Sequence, residues 1–484
     1  MNSKKEISES QIGDLEPFCM ALDSMGEHKL ATQVLDAFAK KSFNFKQFDN
    51  LSKCYFKLKD YEKSIKYAEN AIAQILHVDS FQLYITRFNL INVYNHANYP
   101  EKAMTYIACN EVIDPDDVDL KLEKAYSLYL LNRKPEAEQI LLETLNNRKD
   151  LDEEIITKIK FNLGTYFLYR DQFQQGMQYF IFEGAKMKLW NTQTIFSRNQ
   201  SINLPFWQGS PGIKNLIVFA EAGIGDEIIN IRFMKILKER KINAIWYEAT
   251  CAARNEANDR PGLVEVFKKN GYPIVSDLRE IDNLGEFSWT YSMHLPIYLN
   301  LEYKDLWSGP YLSSSEEFKQ KWNAKINSHD SLPKIGIRWQ GSPLYDHDLH
   351  RSYPLDLLYE NIKECKAVFH SLQRDDGLDQ LNKFPNLINW SEDLETLEDA
   401  FGLVSNLDLV ITSCTSIAHI AASMGKEVFI LVPISAYYVW SHSLEQSPWY
   451  GDHVKLFRQQ KPRCWKEPIE KIAQELKKRG LIRE

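Results

Sequence analysis

The sequence predicts a multidomain α plus α/β protein, an all-α helical repeat array followed by two Rossmann-like halves. Three observations predict it. Small residues recur at Ala31, Ser64, Ala103, Ala137 and Gly176, at intervals of 33, 39, 34 and 39 residues. Beyond residue 214 the pattern changes to short apolar runs alternating with helical segments, as a parallel sheet requires. From Thr412 to Ile434 a hydroxyl-rich turn, a helix and an apolar strand follow one another without a spare residue. A chain of 484 residues with 44% hydrophobic content can supply a core to each of two or three domains.

Residues 1–200 read as a tetratricopeptide-like α-solenoid, whose period is about 34 residues. One repeat carries Leu51, Tyr55, Tyr61, Ser64, Ala68 and Ala71; another carries Leu163, Gly164, Phe167, Phe173, Gly176 and Phe180. The small residue lets the second helix of a pair approach the first, and the aromatics fill the gap to the next repeat. Pro115 falls where such a repeat ends. Four repeats are expected, with a fifth around Ala31. Two of the spacings carry extra residues, so an irregular α-bundle is the alternative. Arrays of this kind present a groove to peptides or partner proteins. Tyr55, Tyr61, Tyr67, Tyr94 and Tyr99, at helical spacing, read mostly as packing between repeats.

Residues 201–330 form the first α/β half. After a polar linker around Ser201–Lys214, Leu216–Ala220 reads as a buried strand, Glu221–Asp226 as a turn, about Glu227–Glu239 as a helix and Ala244–Glu248 as a second strand. That order opens a Rossmann-like unit. Gly223-x-Gly225 is also a partial dinucleotide fingerprint, with Glu248 at the distance of a ribose-binding acid, but Ile228 holds the third glycine position. Asp226 is placed to cap the helix.

Residues 331–484 form the second half, with strands expected at Lys334–Trp339, Ala367–Leu372, Leu387–Trp390, Leu407–Ile411 and Val428–Val432. Ligands bind at the carboxyl ends of such strands. There Ser413, Thr415 and Ser416 offer hydroxyls and backbone N–H groups at a helix N-terminus, a natural anion site. Arg338 and Arg351 add cations, although Arg351 also reads as a surface salt bridge. Asp346, His347, Asp348 and His350 lie in a polar turn with the spacing of no defined metal site. Cys414 has no Cys/His/Asn constellation around it and reads as a small buried thiol. A last helix, Glu467–Arg479, is expected to pack back across the hinge between the halves.

Thr415-Ser416, His419-Ile420-Ala421 and Gly425-Lys426, with Ser447-Pro448-Trp449-Tyr450 and Leu456-Phe457-Arg458-Gln459 downstream, resemble the nucleotide-sugar segment of the heptosyltransferase-like glycosyltransferases, glycosyltransferase family 9, especially members fused to tetratricopeptide repeats. Gly223-Ile224-Gly225-Asp226 resembles the same family's Gly-x-Gly-Asp turn. The resemblance covers about residues 215–465. It implies a GT-B fold and transfer of a sugar from a nucleotide-sugar donor, with Asp226 as general base and with neither metal nor cofactor. Gly223, Gly225, Arg338, Gln340, Gly341, Arg351, Gln373, Ser413, Thr415, Ser416 and His419 would hold the donor. Many members carry Asp where this chain has Cys414, a departure that bears on the donor sugar. The repeats point to a protein or peptide acceptor; the alternatives are a surface glycan, or a non-catalytic scaffold with a degenerate nucleotide site.

The formal net charge of −8 gives no basic footprint for nucleic acid. No segment approaches the roughly 20 apolar residues that span a bilayer, and the N-terminus lacks the apolar core of a signal peptide. Seven cysteines without a C-x-x-C pair suggest reduced thiols. A cytoplasmic protein is expected.

Overall fold

The computed structural model describes residues 15–25, 27–40, 44–75, 80–148, 151–187, 204–248, 262–326, 332–343, 345–374, 376–443 and 445–482. The extreme N-terminus and the start of the linker at 201–203 lie outside them. The chain divides into two compact units, Met1–Lys149 with Lys461–Arg463, and Asp150–Gln460 with Cys464–Glu484.

Among the described residues the first unit holds four helical hairpins: Leu15–Ser24 with His28–Ala39, Phe45–Lys57 with Tyr61–Ile75, Ser80–His96 with Pro100–Glu111, and Val118–Leu130 with Lys134–Asn147. Ala31, Ser64, Ala103 and Ala137 all fall on the second helix of their pair, with no exposed surface. At Ser64 the approach is close enough for its hydroxyl to donate to the Ser52 carbonyl at 2.8 Å. Lys59, Asn98 and Asn132 each take a left-handed φ of 60° at the hairpin turn, so the turns repeat with the same 39- and 34-residue spacing as the small residues. Tyr55 and Tyr94 are buried and donate to Asp36 and Glu69 of the preceding hairpin, Tyr55 at 2.6 Å. These tyrosines pack between repeats.

A fifth hairpin, Glu153–Tyr169 with a helix opening at Phe173–Gln178, belongs to the second unit. Gly164 and Gly176 mark its close approach, since a Cβ on either would sit 2.7 Å from Phe180 or Leu168. Its second helix runs through a π-turn at Tyr179–Glu183. Phe173, Met177, Phe180 and Ile181 are buried in the same apolar core as the α/β halves. Phe173 lies 4.7 Å from the Tyr303 ring and 5.8 Å from Trp449. The boundary expected near residue 200 follows the change of secondary structure; compactness divides the chain at 149, because this hairpin's apolar face has its partners in the second unit.

Two sheets follow. The first has strands β1 Asn215–Phe219, β2 Asn243–Tyr247, β3 Ile274–Val275 and β4 Ser288–Tyr291, in the order β3-β2-β1-β4, all parallel. The second has β5 Lys334–Arg338, β6 Val368–Ser371, β7 Leu387–Ile388, β8 Leu409–Ser413, β9 Glu427–Val432, β10 Gln446–Ser447 and β11 Gly451–Arg458. Its order is β10-β11-β9-β8-β5-β6-β7, parallel except for β10 against β11. This is the helical array followed by two Rossmann-like halves that the sequence predicts. β8 is buried at every residue and β9 at all but its first, as strands covered on both faces must be.

Two expected helices differ. The one read through Glu227–Glu239 is broken into Ile224–Asn230 and Phe233–Glu239. Buried Arg232 stands at the break, where its Nε donates to the Ile229 carbonyl at 2.7 Å and its guanidinium to the carbonyls of Leu306 and Trp449. The last helix, Lys466–Lys478, packs on the second sheet and not across the hinge: Ile469, Ile472 and Leu476 share a core with Leu358, Phe429 and Phe457.

Candidate active site

β1 ends at Phe219, and the chain turns through Ala222, whose φ of 64° is a left-handed conformation that a residue with a Cβ seldom adopts. The turn delivers Asp226 as the third residue of the Ile224–Asn230 helix. It is not the N-cap; its Oδ2 reaches back to accept the Gly223 N–H at 3.0 Å. The carboxylate is 7% exposed, and Tyr437 and Tyr438 of the second half lie within its electrostatic reach. Burial and the Asp226 charge together hold the Tyr437 and Tyr438 hydroxyls well above the ordinary tyrosine range.

On the second sheet, β8 leads into Cys414, Thr415 and the Ser416–Ser423 helix. The Thr415 N–H donates to the Ser413 carbonyl at 2.7 Å, tightening the turn. The Ser413 hydroxyl is buried and has no hydrogen-bond partner among the described residues. Arg351 is fastened here: Nη1 donates to the Cys414 carbonyl at 2.9 Å and Nε to Asp348 Oδ1 at 2.8 Å. Its guanidinium lies over the Tyr345 ring at 4.4 Å. Gly341 makes room for it, since a Cβ there would fall 2.1 Å from Nη2. Arg351 is therefore part of the turn's scaffold and not a surface ion pair. Burial pushes the Cys414 thiol up to about 12, which leaves it inert.

His419 lies on Gly225 and so joins the two halves. Its Nδ1 pairs with the Tyr450 hydroxyl at 2.8 Å, and its ring stacks on Trp440 at a centroid distance of 5.2 Å. Burial, with Arg232 and Arg351 nearby, pushes the imidazole down to about 3, so the ring is neutral.

Arg338, Gln340 and Gln373 sit one and two strands away. Arg338 donates to the Leu372 carbonyl at 2.9 Å. Buried Gln373 takes the Gln340 N–H at 3.2 Å and returns its amide to the Gln340 carbonyl at 3.1 Å and to that of Asp376. These side chains lock the loops after β5 and β6 together. The structure thus brings together Gly223, Gly225, Asp226, Gly341, Arg351, Ser413, Thr415, Ser416 and His419, and leaves Arg338, Gln340 and Gln373 in an adjoining network. In the turn at 346–350, Asp348 also accepts from Ser352 at 3.0 Å, and His350 pairs with Ser435 at 3.0 Å. Among the described residues no helix is long and apolar enough to cross a membrane.

Sequence reasoning missed Tyr437, which faces Asp226, and Arg232, whose guanidinium lies 4.5 Å from the Tyr450 ring centroid. It also missed Glu221, wholly buried at the end of β1. The signal available for Glu221 was a charged residue directly after an apolar strand.

No protein-family pattern matches the chain, and no curated protein matches it. Among solved structures, a glycosyl transferase family 9 protein from Veillonella parvula aligns at 11% identity over 58% of this chain and 92% of its own, with a TM-score of 0.36. A mutant of the O-GlcNAc transferase of Thermobaculum terrenum aligns at 11% identity over 97% of this chain and 91% of its own, TM-score 0.38. The ADP-heptose lps heptosyltransferase II of E. coli aligns at 14% identity over 55% and 98%, TM-score 0.32. The fold itself rests on the strand orders given above.

Proposed function

We propose that the chain transfers a sugar from a nucleotide-sugar donor to an acceptor hydroxyl, with Asp226 as the general base. The observation that carries the reading is the meeting of two unlike sites: a buried carboxylate at the end of β1 and, reached through His419 and Gly225, the hydroxyl-rich turn that Arg351 braces at the end of β8. Such a pairing suits displacement at an anomeric carbon. As the acceptor oxygen forms its bond to that carbon, its proton passes to Asp226, and the bond to the diphosphate breaks with its electron pair leaving on phosphate oxygen. The negative charge that develops there meets the Arg351 guanidinium and the N–H groups opening the Ser416–Ser423 helix. His419, being neutral, is assigned to fix that helix against the Gly225 turn. The repeats are assigned to a protein or peptide acceptor.

Thermal-shift titration with nucleoside diphosphates and sugar nucleotides tests the donor site. Saturable stabilisation by at least one of them is expected, undiminished by EDTA, and Arg351→Ala should weaken it by about 1–3 kcal/mol. A full panel without a saturable shift would remove the reading. One observation favours a second reading, a scaffold that binds nucleotide without turnover: Gln373 and Arg338, both expected to hold donor, bond instead to neighbouring loops. Nucleotide binding with neither donor hydrolysis nor transfer to cell-extract acceptors would support it.

A further inference from the structure

Glu221 lies one residue beyond Ala220 at the end of β1, with no exposed surface. Its Oε1 accepts the Met293 N–H at 3.1 Å, just past the end of β4. Oε2 is buried and has no hydrogen-bond partner among the described residues. The groups coupled to it electrostatically are Asp226 on the following helix, Tyr291 and Tyr298 on the β4 side, and Tyr438 from the second half. None of these is a cation. His294, whose ring lies 5.3 Å from Tyr291 and 5.4 Å from Tyr298, is held neutral by burial.

A desolvated carboxylate with one amide donor, a second carboxylate within electrostatic reach and, among the described residues, no cation bonded to it is the unfavourable form of this side chain. Burial, reinforced by the Asp226 charge, pushes the Glu221 carboxyl up to about 8. We propose that Glu221 is a positioning residue for Asp226: it retains its proton through the neutral range, so that the pair carries one negative charge and that charge resides on Asp226. The turn fixes this division. Ala222, at φ 64°, stands between the two carboxylates in the turn, and the Gly223 N–H is given to Asp226, the member it stabilises as an anion. Ionising both would place two like charges in one buried turn, which disfavours the second ionisation. The inference rests on the proposed role of Asp226.

Infrared pH-difference spectroscopy on the full-length protein, without donor or acceptor, reads the proton directly. The expected result is a carboxylic-acid C=O band present at pH 7, lost near pH 8, shifted by ¹³C-glutamate labelling of the wild type and absent from Glu221→Gln. Loss of every such band by pH 5–6 would overturn the proposal whether or not the protein transfers sugar, and the labelled wild type decides it even if the variant fails to fold. Failure of the Asp226 assignment reads differently, as normal turnover by Asp226→Asn. In kinetics, the pH profile of kcat/KM should show a step near pH 8 in wild type that Glu221→Gln lacks. Glu221→Gln, which keeps the shape of the neutral acid, should outperform Glu221→Ala at pH 7. An alkaline limb identical in wild type and Glu221→Gln would refute the pairing.

Discussion

His419 rests on the backbone of Gly225: a methyl group at 225 would come 3.0 Å from the ring's Cδ2 and 3.5 Å from Nε2. One imidazole and one glycine thus join the turn carrying Asp226 to the helix that follows the Ser413 turn. Tyr450 and Trp440 fix the imidazole from the second half, so the contact has little room to relax.

Gly225→Ala should therefore destabilise the protein by about 1–3 kcal/mol, the range for overpacking a close contact. The cause is testable by a double-mutant cycle in urea melts. Combined with His419→Ala, the alanine at 225 should cost much less than it does alone. The same cost in both backgrounds would show that the glycine is needed for something other than the ring.

Asp226→Asn keeps the shape of the side chain and its capacity to accept the Gly223 N–H, but removes the base. Turnover should fall ~10²–10⁴-fold, while nucleotide affinity in thermal-shift titration stays close to wild type. If stability and turnover fell together, Asp226 would be a helix brace and no more.

These residues differ in how legible they were. Ser413, Thr415 and Asp226 could be read because a strand end, a turn and a helix start are local events. The small residues of the repeats were legible for a related reason, since each must sit where its own hairpin closes. Strands β1, β8 and β9 are built on continuous apolar runs, whereas β3 has two residues and β11 mixes exposed with buried positions, so neither announces itself. Arg232 and Tyr437 were invisible because their meaning depends on distant partners. Arg232 bonds to a carbonyl 217 residues away, and nothing around Arg232 in the sequence marks the break it makes in a helix. The fifth hairpin carries the repeat signature faithfully, yet its apolar face packs in the second unit, which spacing alone does not reveal.

Acid stability follows from His294 and His419. Burial holds both near 3 against an ordinary 6.5, so below pH 6.5 the unfolded chain binds protons that the folded chain refuses. Stability then rises with pH from about 3 to 6.5, by about 1.4 kcal/mol per pH unit for each group. Glu221 has the opposite sign: the folded state keeps its proton between 4.5 and about 8, and stability falls as pH rises through that window. His294→Phe should remove one acid-linked contribution, since the ring sits among Phe182, Phe206, Tyr291 and Tyr298 and neither nitrogen has a hydrogen-bond partner among the described residues. Urea melts at pH 4, 5 and 6 would show the shallower slope. An unchanged slope would mean that His294 is not held neutral.

The last prediction separates the repeats from the two α/β halves. A fragment starting at 201 should not fold, because it lacks Phe173, Met177, Phe180 and Ile181, which are nearly or wholly buried in the core of the second unit. Exposing their partners removes about 1.5–3 kcal/mol for each side chain, much of the roughly 5–15 kcal/mol that holds a domain together. A fragment starting at 151 keeps the hairpin, including the Gln174 amide that donates to the Pro296 carbonyl at 3.2 Å, and should fold. If the four preceding hairpins hold a polypeptide acceptor, fragment 151–484 should hydrolyse donor at the wild-type rate and transfer poorly to macromolecular acceptors, because tethering through a groove raises the acceptor's effective concentration at the site. Transfer at full rate by that fragment would take the hairpins out of acceptor recognition and leave them as a docking arm for another partner.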